Sequence, residues 1–242
     1  MICVAIPSRG RPAFLKRVIE TASQTADHWE EVIVKYYLNN DDPDLKKYKK
    51  ILQSLQTTHG PSVQWEIGPD QNTVQSWNML CENTEADYYM LAGDEIQFVT
   101  EGWDTKVKQT KQDYPDGIFC MAVYDGRPNR AELLRCTQPI VTKEWREALG
   151  YFWAPFLWHW HVDHYTGELA KAIDRFVFRK DIFIKIKKMK DKTAKRMRGQ
   201  GVFDRDEWVY NKHKELYFDF DVKKLLAKIQ NSDLGPFSRR EF

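Results

Sequence analysis

Side chains able to do chemistry recur in this sequence directly after short apolar runs. Asp94 and Glu95 follow Tyr88-Tyr89-Met90-Leu91. A carboxylate at the end of such a run projects from a sheet edge, and hard oxygen ligands of this kind suit Mg²⁺ or Mn²⁺. The plainer role for Asp94 is an acidic turn residue; Glu95 either adds a second ligand or points into solvent. Pro7-Ser8-Arg9-Gly10-Arg11 follows Ile2 to Ile6. The delocalised charge of Arg9 and Arg11 suits phosphate oxygens. Asn39 and Asp41 close another run, and Asn72 and Asn78 accompany a later helix; for each a turn or cap role is equally open. Asp163 lies in His161-Val162-Asp163-His164, after an aromatic stretch containing Tyr151, Phe152, Trp153, Phe156, Trp158 and Trp160. Burial beside the tryptophans would raise its pKa and a cationic histidine would lower it. It also stands where a helix N-cap would. The aromatics either form core or make a wall on which a sugar or nucleobase stacks. His159, His161 and His164 invite a zinc site, but no thiol lies near and H-E-x-x-H is absent, so packed or substrate-facing histidines are expected.

These residues need a scaffold, and the pattern supplies one. Ile2 to Ile6, Glu31 to Leu38, Val63 to Ile67 and Tyr88 to Leu91 read as strands. Ala13 to Ala22, Leu45 to Leu55 and Thr73 to Glu82 read as helices between them, the first opened by Pro12. Strands alternating with helices imply a mostly parallel sheet. Ligands of such sheets sit at the carboxyl ends of the strands, where the polar clusters fall. Beyond Gly102 the pattern changes. Gly117 to Tyr124 and Phe176 to Ile186 read as strands, and Glu144 to Leu149, Gly167 to Arg175, Glu207 to Glu215 and Val222 to Ile229 as helices. The expected organisation is one domain over residues 1–180 with a basic helical extension, 181–242, packed on it.

Composition narrows the class. The chain has 242 residues, 42% apolar and 14% aromatic, which is a globular and not a disordered composition. Its net charge of +2 excludes a uniformly basic or acidic protein. Cys3, Cys81, Cys120 and Cys136 form no C-x-x-C pair and are expected as buried thiols in a reducing compartment. No signal peptide precedes the first strand and no apolar run reaches the roughly 20 residues of a membrane span, so a cytoplasmic protein is expected.

Taken in order, Val4-Ala5-Ile6-Pro7-Ser8-Arg9-Gly10-Arg11-Pro12, then Asn72 with Ser76-Trp77-Asn78, then Gly93-Asp94-Glu95, then residues 150 to 175, resemble family 2 glycosyltransferases and related GT-A enzymes. The resemblance covers residues 1 to 180. Gly93-Asp94-Glu95 with Gly102-Trp103-Asp104 is more similar to transferases from bacteriophage genomes than to cellular polysaccharide synthases. The resemblance implies a GT-A, Rossmann-like mixed α/β sheet flanked by helices. It implies transfer of a sugar from a nucleoside-diphosphate sugar, a UDP-sugar first, to an acceptor hydroxyl with inversion. Pro7, Ser8, Arg9 and Arg11 would then face base and diphosphate, Asn39 and Asp41 base and ribose, with Asn72 and Asn78 as further contacts. Asp94 and Glu95 would sit at the Asp-x-Asp position that binds Mn²⁺ or Mg²⁺, and Asp163 would be the general base. Two departures stand out: the first Asp of the metal motif falls at Ala92, and the usual acidic pair near the base falls at Asn39-Asn40.

Residues 179 to 198 hold ten Lys or Arg against two Asp. Such a run is most simply a solvated face. Its positive potential also suits nucleic-acid phosphates or an anionic membrane. With the phage likeness, it suggests a modified base in DNA as acceptor, contacted through 185–198. The competing readings are a nucleotidyltransferase on the same scaffold and a non-catalytic sugar- or nucleic-acid-binding module.

Overall fold

A computed structural model describes residues 1–127, 136–187 and 192–233. Lys188 and Lys190 of the basic run, and the side chain of Lys192, lie outside the described residues.

The first strand, β1 (Ile2–Ser8), is apolar on both faces, so both must be covered. Ile2, Val4 and Ile6 join a core with Leu15, Val18 and Ile19 of α1 (Ala13–Thr25) and with Tyr48 and Leu52 of α2 (Leu45–His59). The alternate residues Cys3 and Ala5 join a second core with Val74, Trp77 and Leu80 of α3 (Thr73–Glu82). The period of two along the strand thus divides the hydrophobic interior into two layers, one on each side of the sheet.

β2 (Val32–Asn39), β3 (Val63–Gly68) and β4 (Tyr88–Leu91) complete a parallel set in the order β3-β2-β1-β4. The sheet continues through β7 (Ile140–Thr142), β6 (Cys120–Tyr124), β8 (Phe176–Ile186) and β5 (Ile96–Phe98). β7 is antiparallel to β4 and β6, β8 is parallel to β6, and β5 is antiparallel to β8, so the eight-stranded sheet is mixed. α4 (Trp103–Gln109), α5 (Lys143–Leu149), α6 (Val162–Ala172), α7 (Lys192–Gly199) and α8 (Val202–Asp233) complete the described α-helices. None of these helices is long and apolar enough to cross a membrane. All four cysteines are buried and free.

α4 was not expected, and α6 and α8 depart furthest from the expected bounds. α6 starts at Val162, not Gly167. Gly167 is an interior helix residue there because a Cβ on it would lie 2.6 Å from Cys136 Cβ; the glycine marks a close approach, not a helix start. The two expected C-terminal helices are one, α8, since no proline or glycine interrupts Val202 to Asp233. α8 packs against α5, α6 and α7. β8 carries the sheet through residue 181, so the basic stretch begins within a strand.

Candidate active site

The sheet register brings the strand ends level. Ser8 pairs with Leu38, Asn39 with Gly68, and Ala5 with Leu91. The order reverses at β1 and β4, the position where ligand crevices form in open sheets. A cavity of about 310 Å³ opens there. The strand ends contribute Pro7, Ser8, Arg9, Arg11, Asn39 and Glu95 to its lining, the strand-edge wall; the segment entering α6 contributes His159, Trp160, His161 and Asp163, the loop wall.

Asp94 sits behind the strand-edge wall, fully buried. Ser8 Oγ donates to its Oδ2 at 2.5 Å, and Arg11 Nη2 lies 3.0 Å from its Oδ1. Because Ser8 donates to Asp94, Tyr48 Oη donates to Ser8 Oγ (2.8 Å) and accepts the Arg11 amide (2.7 Å). The resulting chain of polarised hydrogen bonds runs from Arg11 through Tyr48 and Ser8 to Asp94. Burial, helped by the adjacent Glu95 carboxyl, pushes the Asp94 carboxyl up to about 7 against the opposing pull of Arg11 and Ser8. Glu95, next in sequence, is partly exposed and faces the cavity. The Glu95 carboxylate packs over Gly93, where a Cβ would lie 2.6 Å from its Oε2. Arg9 forms a two-pronged pair with Asp41 (2.5 and 2.9 Å) and lies 3.5 Å from Asp70, which also accepts from Asn39 Nδ2 at 2.5 Å. The Arg9 hydrogen bond holds the Asp41 carboxyl below its ordinary value. Arg196 of α7 lines the cavity and approaches Asp70 at 3.6 Å.

Asp163 occupies the first turn of α6, not its N-cap; that place belongs to His161, in a left-handed conformation with φ 65°. Asp163 Oδ1 accepts its neighbour's amide, His164 N, at 2.9 Å. His159 Nδ1 meets Thr73 Oγ1 at 2.9 Å. His161 stacks on Tyr210 at 5.0 Å, and among the described residues its Nε2 is buried without a hydrogen-bond partner. Gln138, with φ 49°, also lines the cavity. Left-handed backbone at non-glycine residues is costly and clusters at functional sites; of three such residues among those described, two are here.

Pro7, Ser8, Arg9, Arg11, Asn39, Glu95 and Asp163 therefore come together, while Asp41, Asn72, Asn78 and Asp94 do not line the cavity. Asn72 caps α3 by accepting Gln75 N at 2.8 Å. Asn78 is occupied by both backbone groups of Trp153, at 2.8 and 3.0 Å. Sequence reasoning missed Asp70, although its place just after β3 is close to that of Asn39 at the end of β2. It also missed Arg127 and Gln138, which no local pattern marks, and it marked Arg196 only as part of the basic run, not as a residue of this cavity. Among the described residues no three His, Cys, Asp or Glu side chains gather as metal ligands, so the three histidines form no zinc site. Mg²⁺ and its analogues need only one or two carboxylates when substrate phosphates supply the other oxygens. Glu95 on the cavity wall fits that arrangement; Asp94, consumed by Ser8 and Arg11, does not present its carboxylate.

No family model and no curated protein matches the sequence. Solved structures match the fold. A mannosyltransferase from Pyrobaculum calidifontis, in complex with GDP-Man and Mn²⁺, superposes with TM-score 0.63 at 10% identity, over 97% of this chain and 75% of that one. TarS 1–349 of S. aureus, in complex with UDP-GlcNAc, gives TM-score 0.62 at 9% identity, over 100% of this chain and 76% of that one. GalNAc-T7, with UDP, GalNAc and Mn²⁺, gives 0.60 at 10% identity, over 77% and 43%. The mixed sheet flanked by helices is the GT-A glycosyltransferase fold.

Proposed function

We propose that this chain transfers a sugar from a nucleoside-diphosphate sugar to an acceptor hydroxyl, with inversion. The observation that carries the reading is one cavity, at the reversal point of the sheet, whose lining brings Arg9, Arg11 and Glu95 of the strand ends together with Asp163 of α6. Asp163 takes the proton from the acceptor hydroxyl as its oxygen attacks the anomeric carbon. The bond from that carbon to the diphosphate oxygen breaks, and its electron pair leaves with the diphosphate. Arg11, fixed by Asp94, and Arg9 face the charge that develops there. A divalent cation bound by Glu95 and diphosphate oxygens would neutralise part of that charge. Asp94 thus serves behind the wall, holding Arg11.

The acceptor reading rests on α7. Lys195, Arg196 and Arg198 are exposed, Arg196 reaches the cavity, and the Arg198 guanidinium lies 5.4 Å over Trp160. A basic rim beside aromatic rings suits single-stranded or extruded nucleic acid. A modified base in DNA, as in a phage-encoded transferase, is the acceptor we propose. Mobility shift on DNA at several salt concentrations tests this part alone; absence of salt-dependent binding contradicts it.

A thermal-shift screen of nucleotide sugars, with and without Mn²⁺, tests the main reading. Stabilisation by a UDP- or GDP-sugar, with release of free sugar or glycosylated acceptor, supports it. Consumption of nucleoside triphosphates instead would indicate nucleotidyl transfer. Stabilisation without turnover of any donor would indicate a binding module.

A further inference from the structure

Asp206, near the start of α8, is fully buried. Its carboxylate accepts three consecutive backbone N–H groups from a loop 46 to 48 residues earlier: Trp158 at 3.0 Å to Oδ1, His159 at 2.8 Å and Trp160 at 2.9 Å to Oδ2. Successive amides converging on one point make an anion-binding concavity. Here the anion is internal. Arg205 balances its charge, with Nη1 2.6 Å from Asp206 Oδ1, Nη2 donating to Phe156 O at 3.1 Å, and the guanidinium 3.8 Å over the Trp158 ring. From the other side α3 holds the same loop, through Val74 N to Trp158 O (3.2 Å) and Thr73 to His159 (2.9 Å). The clamped residues lead directly into His161 and Asp163 on the cavity wall.

We propose that Asp206 is a positioning residue of the active site. As the anion at the centre of the amide nest, it fixes residues 158–160, and through them His161 and the Asp163 carboxylate, in the cavity lining. The contribution to catalysis rests on the glycosyl-transfer reading; the clamp itself does not. Removing the charge leaves three part-buried amides short of an acceptor, and a buried N–H without a partner is costly enough to rearrange the loop. A displacement of about 1 Å at a reacting group lowers rate by about 10²-fold.

The test uses the full chain as wild type, Asp206→Asn and Arg205→Lys. The asparagine keeps the shape and one acceptor oxygen, so the fold survives. Amide hydrogen exchange, UDP and GDP affinity, and nucleotide-sugar turnover are measured on each. The expected result for Asp206→Asn is exchange at 158–160 faster by about tenfold or more, with β1 and β2 amides as protected as in wild type. Nucleotide affinity should change less than about threefold, while turnover falls about 10- to 100-fold. Arg205→Lys should show the same pattern more weakly. Unchanged exchange at 158–160, or turnover unchanged despite faster local exchange, overturns the proposal. So does loss of protection throughout the core in both variants, because that marks a merely structural role. If the wild type turns over no nucleotide sugar, the glycosyl-transfer reading fails separately. The clamp is then upheld by exchange that quickens at 158–160 alone and overturned by exchange matching wild type.

Discussion

The two walls of the cavity reach it by opposite routes. Residues 7–9, 11, 39 and 95 lie at or just beyond the ends of neighbouring parallel strands, whose register sets them level. Residues 158–161 hang from a carboxylate on α8 and from the start of α3. The first wall inherits the rigidity of a sheet buried on both faces. The second depends on a few directional contacts between distant parts of the chain. Under the proposed function, damage to the strand-edge wall should appear mainly in nucleotide binding, and damage to the loop wall mainly in transfer.

The largest expected effect breaks the loop wall at its reactive end. Asp163→Asn removes the proton acceptor and should lower transfer by about 10²- to 10⁴-fold, with nucleotide affinity by calorimetry unchanged. A parallel loss of affinity would erase the division between the walls. Next comes Gly167→Ala, which tests whether the loop wall leans on remote packing. The new methyl meets Cys136 Cβ. Overpacking costs about 1–3 kcal/mol, against the about 1 kcal/mol that alanine gains in a helix, so urea unfolding should show net destabilisation. An equal or higher midpoint would show that α6 shifts freely.

Glu95→Gln addresses the strand-edge wall. Nucleotide affinity in Mn²⁺ should drop about tenfold, equivalent to about 1.4 kcal/mol, with little change in chelator. Equal losses in both conditions would assign Glu95 a contact other than the cation. The smallest effect is a pH slope from Asp94. Burial lifts its carboxyl from 3.8 to about 7. Between those values the folded protein keeps a proton that the unfolded chain has released, so this group's contribution to stability falls as pH rises from about 4 to about 7 and is level beyond. Asp94→Asn should remove that slope from urea unfolding measured between pH 4.5 and 7.5. Parallel wild-type and variant curves would show that Arg11 and Ser8 hold the carboxylate ionised throughout.

Legibility in the sequence follows the same contrast. Thr73–Glu82, Tyr88–Leu91 and Phe176–Ile186 were readable to both ends because local signals bound them: Asn72 caps the first, and the Ala92-Gly93-Asp94 turn ends the second. The strand-edge candidates Ser8, Arg9, Arg11 and Asn39 were readable because apolar runs stop there. β5 and β7, at three residues each, carry too little periodicity to detect. That Asp94 turns inward and Glu95 outward depends on Ser8 and Arg11 arriving from β1, which no window around residue 94 contains. Asp206 was invisible for the same reason, since its partners lie more than forty residues away.

The central claim is that one cavity holds a nucleotide sugar between the strand ends and Asp163. A crystal structure of the protein with UDP-GlcNAc or GDP-Man and Mn²⁺ measures this directly. The account predicts the diphosphate beside Ser8, Arg9 and Arg11, the cation on Glu95, and Asp163 facing the anomeric carbon from the opposite wall. A nucleotide bound elsewhere, or a donor whose anomeric carbon faces away from Asp163, would contradict it.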